Sequence, residues 1–302
     1  MTHDPFPPTS GVATGKRSPM LPDSPMPERT ELSRIDFDFL RRIVLDESAI
    51  VLDLEKAYMV ETRLLGMVRR ERFPSLAAML AAARNRSDLR IRLIEGMTTN
   101  ETSFFRDIHP FEVLRTDIIP ERIAARGADR QLNIWCAACS SGQEPYSLAI
   151  LLREHFPELV RDWTVRILAT DLSGEMVQRA ASGRFSQLEI NRGLPVRHLV
   201  KYFSKDGEEW SIRDDVRSMI EFRPLNLIGA WANVPALDIV LLRNVLIYFE
   251  LETRRQILSR MRRLFRPGGW LLLGSAETTM GVDDTFARDS LGKVPVFRPT
   301  LN

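Results

Sequence analysis

The chain has 302 residues, of which 44% are hydrophobic and 27% are charged. Its 42 basic and 40 acidic side chains leave a net charge of +2, which excludes a general nucleic-acid or membrane-surface binder. Two cysteines exclude a disulfide framework, and no apolar run approaches the roughly 18 residues of a membrane span. Because the N-terminus also lacks a signal-peptide pattern, we expect a cytoplasmic protein that binds neither nucleic acid nor metal and does not insert into membranes.

The N-terminal part of the sequence divides into a tail and a helical domain. Residues 1–30 hold seven of the 18 prolines and no periodic apolar pattern, which predicts a disordered tail. From residue 31 to 97 apolar residues recur at helical spacing in FDFLRRIVL, EKAYMVETRLLGMVRRERF, SLAAMLAAAR and Asp88–Met97. This part predicts a small all-α domain, with Ser75 capping its third helix.

From residue 98 to the C-terminus, strands and helices alternate. The sequence predicts buried strands at 133–138, 165–170, 238–242 and 270–274, a short last strand at 295–299, and helices at 145–156, from about Gly174, and at 252–265. This order predicts a doubly wound parallel α/β sheet that is covered on both faces. Short extended stretches at about 202–226 predict a small antiparallel β insert, and Arg266-Pro267-Gly268-Gly269 predicts a turn that ends a helix.

Two features at the carboxyl ends of the first two strands indicate a ligand site. The segment IWCAACSSGQEP passes from a strand through small residues to a helix, and Glu144 at the helix start would repel phosphates but suit a cationic or hydroxyl-rich ligand. Asp171 ends the second strand, where an acid can accept two hydrogen bonds from a ribose diol. Each feature also has an interpretation that involves no ligand. The loop would then be a tight turn between a strand and a helix, and Asp171 would cap the helix that follows it.

Four stretches resemble the CheR-type chemotaxis receptor methyltransferases in order and spacing: TNETSFFR at 99–106, the segment 135–147, ATD at 169–171 and RNVLIYF at 243–249. The resemblance extends from Glu31 to the C-terminus. It implies a class I S-adenosylmethionine-dependent methyltransferase with a Rossmann-like sheet. The implied activity is that of a protein-glutamate O-methyltransferase, which forms methyl esters on the cytoplasmic helices of chemoreceptors and releases S-adenosylhomocysteine.

The resemblance also implies roles for individual residues. Cofactor contacts are expected at Asn100, Thr102, Arg106, Glu144, Asp171, Asn226, Leu227, Arg243 and Asn244. Arg106 and Tyr248 are the candidates for orienting the substrate carboxylate. Without the resemblance, residues 99–106 would be interpreted as a linker between domains and Tyr248 as a core aromatic. The family usually has glycine where this chain has Ala138 and glutamate where it has Gln143. Ala138 would be costly if that position needs a positive φ.

A basic stripe predicts the receptor-docking surface. Nine basic and three acidic residues lie between 56 and 92, and Lys56, Arg63 and Arg70 follow one another at intervals of seven along one helix face. A solvated charged face is the other interpretation, and the resemblance favours docking of an acidic receptor helix. The insert's hairpin, at 204–210, is short and has one glycine, so we expect no dependence on a receptor C-terminal pentapeptide.

Two other functions remain open at this stage. A nicotinamide-dependent oxidoreductase would use the same sheet, but the chain lacks a G-x-G-x-x-G loop and carries Glu144 there. A degenerate signalling module that binds the cofactor or the receptor without turnover is the third hypothesis. Cys136 and Cys139 form a C-x-x-C pair, which we interpret as small apolar fillers of a strand end.

Overall fold

A computed structural model describes residues 32–53 and 57–300. The predicted tail at 1–30 and Lys56 of the predicted docking stripe lie outside the described residues. Among the helices of the described chain, none is both long enough and apolar enough to cross a membrane.

The helical domain has the four predicted helices, α1 (Arg34–Ser48), α2 (Ala57–Arg70), α3 (Leu76–Ala83) and α4 (Ser87–Met97). Ser75 caps α3 as predicted, because its side chain accepts a hydrogen bond from the backbone N–H of Ala78. The apolar faces of the four helices meet in one core that includes Leu40, Leu64 and Leu93. This hydrophobic core is separate from the two cores that cover the faces of the sheet, so the helical domain has a hydrophobic core of its own.

The rest of the chain alternates between strands and helices. The strands are β1 (Gln131–Ala137), β2 (Thr164–Asp171), β3 (Arg184–Ser186), β4 (Phe203–Asp206), β5 (Glu209–Ile212), β6 (Ile220–Pro224), β7 (Leu237–Leu242), β8 (Phe265–Leu273), β9 (Phe286–Leu291) and β10 (Val294–Pro299). The helices are α5 (His109–Val113), α6 (Ile119–Arg126), α7 (Gln143–His155), α8 (Pro157–Asp162), α9 (Gly174–Ser182), α10 (Gln187–Asn191), α11 (Val196–Tyr202), α12 (Asp214–Arg217) and α13 (Leu251–Arg262).

Seven strands form the central sheet in the order β6-β2-β1-β7-β8-β10-β9. The first five are parallel, and β10 runs antiparallel to both of its neighbours. Side chains alternate across β1: Ile134 and Cys136 enter one apolar core, while Trp135 and Ala137 enter the core on the opposite face. The sheet is therefore covered on both faces, as the alternation of strands and helices predicts.

The antiparallel insert differs from its predicted extent. The small sheet has the order β3-β5-β4, so it takes a strand from residues 184–186 and ends at Ile212. The last predicted stretch of the insert, β6, instead pairs with β2 from Ile167 to Asp171 in the central sheet. A short alternating pattern fits either sheet, and only the tertiary partner decides between them.

The predicted turn at Pro267-Gly268-Gly269 lies inside a strand. β8 begins at Phe265, and its register with β7 shifts between Leu237 and Ile239. Gly268 has φ +73°, and the Arg122 guanidinium packs against it while donating a 2.9 Å hydrogen bond to Pro267 O. Proline and glycine thus mark a β-bulge here, which is one of the few places where a sheet accepts them.

Candidate functional site

A cleft lies at the carboxyl ends of β1, β2 and β7, where the helical domain meets the sheet. It encloses about 970 Å³ of free space, including the part open to solvent. All nine predicted cofactor residues line it, and so does Tyr248. The helical domain contributes one wall through Ser48, Ile50 and Met97. The carboxyl edge of an open α/β sheet is where ligands bind in this class of fold.

The loop after β1 bends sharply below the cleft. Ala138 has φ +60°, Ser140 has φ +50° and Gly142 has φ +95°. A Cβ on Gly142 would lie 2.9 Å from that of Ala180, which explains the glycine. Ala138 therefore has the positive φ that the sequence analysis considered. A left-handed conformation costs a residue with a Cβ about 1–2 kcal/mol of conformational free energy.

Asp171 connects this loop to the second strand. Its carboxylate accepts hydrogen bonds from the backbone N–H groups of Ser140, at 2.7 Å, and Ser173, at 3.0 Å. The side chain of Ser173 caps α9, because it accepts a hydrogen bond from the backbone N–H of Met176. Asp171 is therefore not the capping residue of this helix. Burial raises the pKa of Asp171, while the N–H donors oppose that shift. The backbone N–H of Leu172 also stabilises the charged form, and a carboxylate can accept about four hydrogen bonds, which leaves acceptor capacity for a hydroxyl donor in the cleft.

Glu144 and Arg243 form a buried ion pair beside the cleft. Arg243 Nη1 lies 2.8 Å from Glu144 Oε2, and the Arg243 side chain is only 2% exposed. Burial raises the pKa of Glu144, and Arg243 opposes the shift. Arg243 Nη2 also donates to Asp107 Oδ2 at 2.7 Å and to Arg106 O at 3.0 Å. The segment it holds is strained, since Phe105, Asp107 and Ile108 all have positive φ.

The two candidate steering residues both reach the cleft. Arg106 is half-buried and donates from Nη1 to Glu101 O at 2.8 Å. Tyr248 is half-buried, and its hydroxyl has no hydrogen-bond partner within 32–53 and 57–300. The backbone N–H of Val51 donates to Tyr248 O at 3.1 Å, which joins the helical domain to this loop.

The predicted docking residues are in different situations. Arg63 is turned into the protein: its guanidinium donates to Met97 O at 3.0 Å, to Thr98 O at 3.3 Å and to Thr99 Oγ1 at 3.2 Å. Arg70 is exposed and lies 3.6 Å from Glu175. Arg63 therefore supports the linker that lines the cleft, whereas Arg70 faces solvent.

Sequence reasoning missed Glu277, which lies just after β8. Its buried carboxylate accepts hydrogen bonds from the backbone N–H groups of Asn244 and Val245, at 2.7 and 2.8 Å. No periodicity marks this residue, because its role depends on where β8 ends beside β7. Only an acid within Gly274-Ser275-Ala276-Glu277, at the carboxyl end of a predicted strand, could have drawn attention to it.

The two cysteines fit their interpretation as apolar fillers. Both thiols are free and buried, and burial raises their pKa values well above the ordinary value. Over the described stretches, no group of three His, Cys, Asp or Glu side chains is placed to hold a metal ion.

The donor set of the cleft fits S-adenosylmethionine. The buried carboxylate of Asp171 and the largely buried carboxylate of Glu144, whose side chain is 12% exposed, suit its ribose hydroxyls and its positive charges, whereas the phosphates of a dinucleotide would be repelled. Together with the sheet order, this defines a class I S-adenosylmethionine-dependent methyltransferase.

The family comparison agrees. The family description "CheR methyltransferase, SAM binding domain" matches residues 100–293, and "CheR methyltransferase, all-alpha domain" matches residues 35–98. The chain therefore belongs to the CheR methyltransferase family, and its cofactor is S-adenosylmethionine.

Individual relatives are similar over most of their length. Chemotaxis protein methyltransferase 1 of Pseudomonas aeruginosa is 40% identical over 83% of this chain and 93% of its own. The chemotaxis protein methyltransferase of Vibrio parahaemolyticus is 39% identical over 81% of this chain and 90% of its own. A solved TehB-like SAM-dependent methyltransferase from Corynebacterium glutamicum is 13% identical, covers 64% of this chain and 95% of its own, and has a TM-score of 0.36.

Proposed function

We propose that this protein methylates glutamate side chains on the cytoplasmic helices of chemoreceptors and forms glutamate methyl esters. The names of the relatives support a role in chemotaxis. The observation that carries the proposal is the pair of groups at the cofactor cleft, the Arg106 guanidinium and the Tyr248 hydroxyl, which has no hydrogen-bond partner among the described residues. Both are suited to hold an incoming carboxylate.

The chemistry requires positioning more than proton transfer. Bound S-adenosylmethionine supplies an electrophilic methyl group on a positively charged sulfur. A glutamate side chain has an ordinary pKa of roughly 4–5, so it enters as an anion and needs no general base. The chain's task is to align the carboxylate oxygen with the methyl group and to exclude water. Alignment of this kind can contribute about 7–11 kcal/mol to lowering a barrier.

The receptor helix is proposed to dock on the exposed face of α2. Arg70 is exposed there, and Arg63 contacts the linker at 98–99 that lines the cleft. A helix lying on this face would therefore run beside the cofactor. Because Arg63 also supports the linker, it is a poor probe of docking, and Arg70→Glu is the cleaner variant. We expect slower receptor methylation by Arg70→Glu at low salt, with unchanged cofactor affinity.

The decisive experiment follows the methyl group. Purified protein, S-adenosylmethionine labelled in its methyl group and a receptor cytoplasmic fragment should yield a base-labile label on the receptor. Arg106→Ala and Tyr248→Phe should each lower turnover at least tenfold, and each should lower turnover more than it lowers the affinity for S-adenosylhomocysteine. Arg161→Ala, an exposed arginine on α8, is the control. A protein that binds the cofactor but transfers no base-labile label to any receptor fragment would contradict the proposal.

We also infer that the receptor's C-terminal pentapeptide is not required. The turn between β4 and β5 contains only Gly207 and Glu208, which makes a short hairpin. Removing the last five residues of the receptor fragment should leave the methylation rate unchanged. A drop of tenfold or more would show that the small sheet holds the receptor tail.

A further inference from the structure

We propose that Glu277 is a positioning residue for methyl transfer, which fixes the loop at 243–249 in the shape that presents Asn244 and Tyr248 to the cleft. The turnover part of this inference rests on the proposed function. The cofactor-binding part does not.

The carboxylate of Glu277 is surrounded by main-chain donors. Oε2 accepts from the N–H groups of Gly274 and Asn244, both at 2.7 Å, and Oε1 accepts from Val245 at 2.8 Å and Ile247 at 3.3 Å. The residue is 7% exposed. Four donors match the acceptor capacity of one carboxylate, so this buried acid is satisfied by the backbone of the loop.

The loop needs such a clamp because its backbone is unusual. Asn244 has φ +59°, and a single 3₁₀ turn follows at Leu246–Tyr248. Backbone in this region is sparsely populated and persists only where its surroundings hold it. Gly274 completes the clamp, since a Cβ there would lie 2.6 Å from Asn244 Nδ2 and 2.8 Å from Glu277 Oε2.

The clamp lies behind the site. Asn244, Val245 and Tyr248 line the cleft, whereas Glu277 does not. Tyr248 also accepts the hydrogen bond from Val51 of the helical domain through its carbonyl. Glu277 therefore acts through the loop, on one residue proposed to touch the cofactor and on one proposed to orient the substrate carboxylate.

The chemistry of the four contacts calls for a carboxylate. Glutamine offers one acceptor oxygen, and its NH₂ group would face two backbone N–H donors. Aspartate keeps both acceptors but is shorter by one methylene, so it retains part of the clamp. The order of function expected from this geometry is glutamate, then aspartate, then glutamine.

Calorimetry with S-adenosylhomocysteine and turnover at saturating S-adenosylmethionine on a receptor fragment test the inference in the full chain. Glu277→Gln should weaken binding at least tenfold and lower turnover at least tenfold, and Glu277→Asp should lie between it and the wild type. Glu252→Gln, an exposed glutamate at the start of α13, is the matched control and should stay within twofold. A folded Glu277→Gln protein within twofold of the wild type in both measurements would overturn the inference.

Hydrogen exchange of the wild type keeps the test independent of the variants' folding. The amides of residues 244, 245 and 247 should exchange far more slowly than those of open loops, and their exchange at open-loop rates would overturn the clamp. If the wild type binds the cofactor but does not methylate receptors, the proposed function fails. The binding comparison between Glu277 variants still decides the positioning role.

Discussion

The cofactor cleft and the exposed face of α2 use arginine in opposite ways. At the cleft, Arg243 is buried, pairs with Glu144 and Asp107, and holds a segment with positive φ. On α2, Arg70 is exposed and lies 3.6 Å from the exposed Glu175, on a regular helix. Removing one partner of a buried ion pair strongly destabilises a protein, whereas an exposed ion pair contributes only about 0–1 kcal/mol to the free energy of unfolding. The cleft is therefore expected to tolerate few changes, and the α2 face many.

The largest effect should follow Arg243→Met, which leaves Glu144 buried without its cation. We expect a loss of about 3–5 kcal/mol in the free energy of unfolding, measured by urea denaturation. Arg70→Met is the control from the other region and should stay within about 0.5 kcal/mol. Equal stability of the two variants would remove the contrast between cleft and helix face.

Arg63 should behave as an intermediate case, since it starts on α2 and ends at the cleft linker. Arg63→Met removes three hydrogen bonds to Met97, Thr98 and Thr99. We expect a loss of about 1–3 kcal/mol, together with weaker binding of S-adenosylhomocysteine. Arg69→Met, an exposed neighbour on the same helix, serves as the control. If both variants bind the cofactor like the wild type, Arg63 behaves like the other arginines of the exposed α2 face and does not support the cleft.

The pH dependence of stability should separate the buried acid from surface acids. The folded pKa of Glu144 is raised above the ordinary 4.5, mainly by burial. Its contribution to folding is therefore fully present below pH 4.5 and is lost as the pH rises through the folded value. Hence the stability of Glu144→Gln relative to the wild type should rise with pH above 4.5. Denaturation of both proteins at a series of pH values measures the difference between their free energies of unfolding. A difference that does not change with pH would contradict the raised pKa.

The smallest effect is expected from relieving strain at Ala138. Ala138→Gly removes the cost of a left-handed alanine, about 1–2 kcal/mol, against about 0.4–1 kcal/mol of added unfolded-chain entropy. The difference of these two ranges predicts a gain of about 0–1.6 kcal/mol, which thermal unfolding measures. The same substitution at Ala125, which is exposed on the regular helix α6, should instead destabilise by about 1 kcal/mol. A loss at both positions would show that the loop stores no strain.

The regular elements could be predicted because they are local. Helical periodicity marks α1 to α4, and the buried runs mark β1, β2 and β7, since a strand covered on both faces is apolar throughout. The pairing of β6 could not be predicted, because a five-residue strand carries no information about its neighbour. The bulge at Gly268 was missed for a related reason: what holds it is Arg122, a residue 146 positions away in the sequence.

The candidate site divides in the same way. Asp171 and Glu144 could be proposed from their place after a strand and at a helix start, and the nine predicted residues do line one cleft. The roles of Arg63 and Glu277 depend on partners that only the folded chain brings close. A basic residue at helical spacing looks like a surface residue, and an acid after a strand looks like part of a loop.

The hydrogen bonds from Asn226 Nδ2 to Glu47 O and from Val51 N to Tyr248 O have a consequence for protein engineering. Through these bonds the helical domain forms one wall of the cofactor cleft, so it is not an independent module that can be exchanged without affecting the cleft. Exchanging that whole domain between relatives to change the choice of substrate would also replace part of the cleft. Altered preference is better sought by changing only the outward side chains of α2, such as Arg69 and Arg70, with the inward ones kept native.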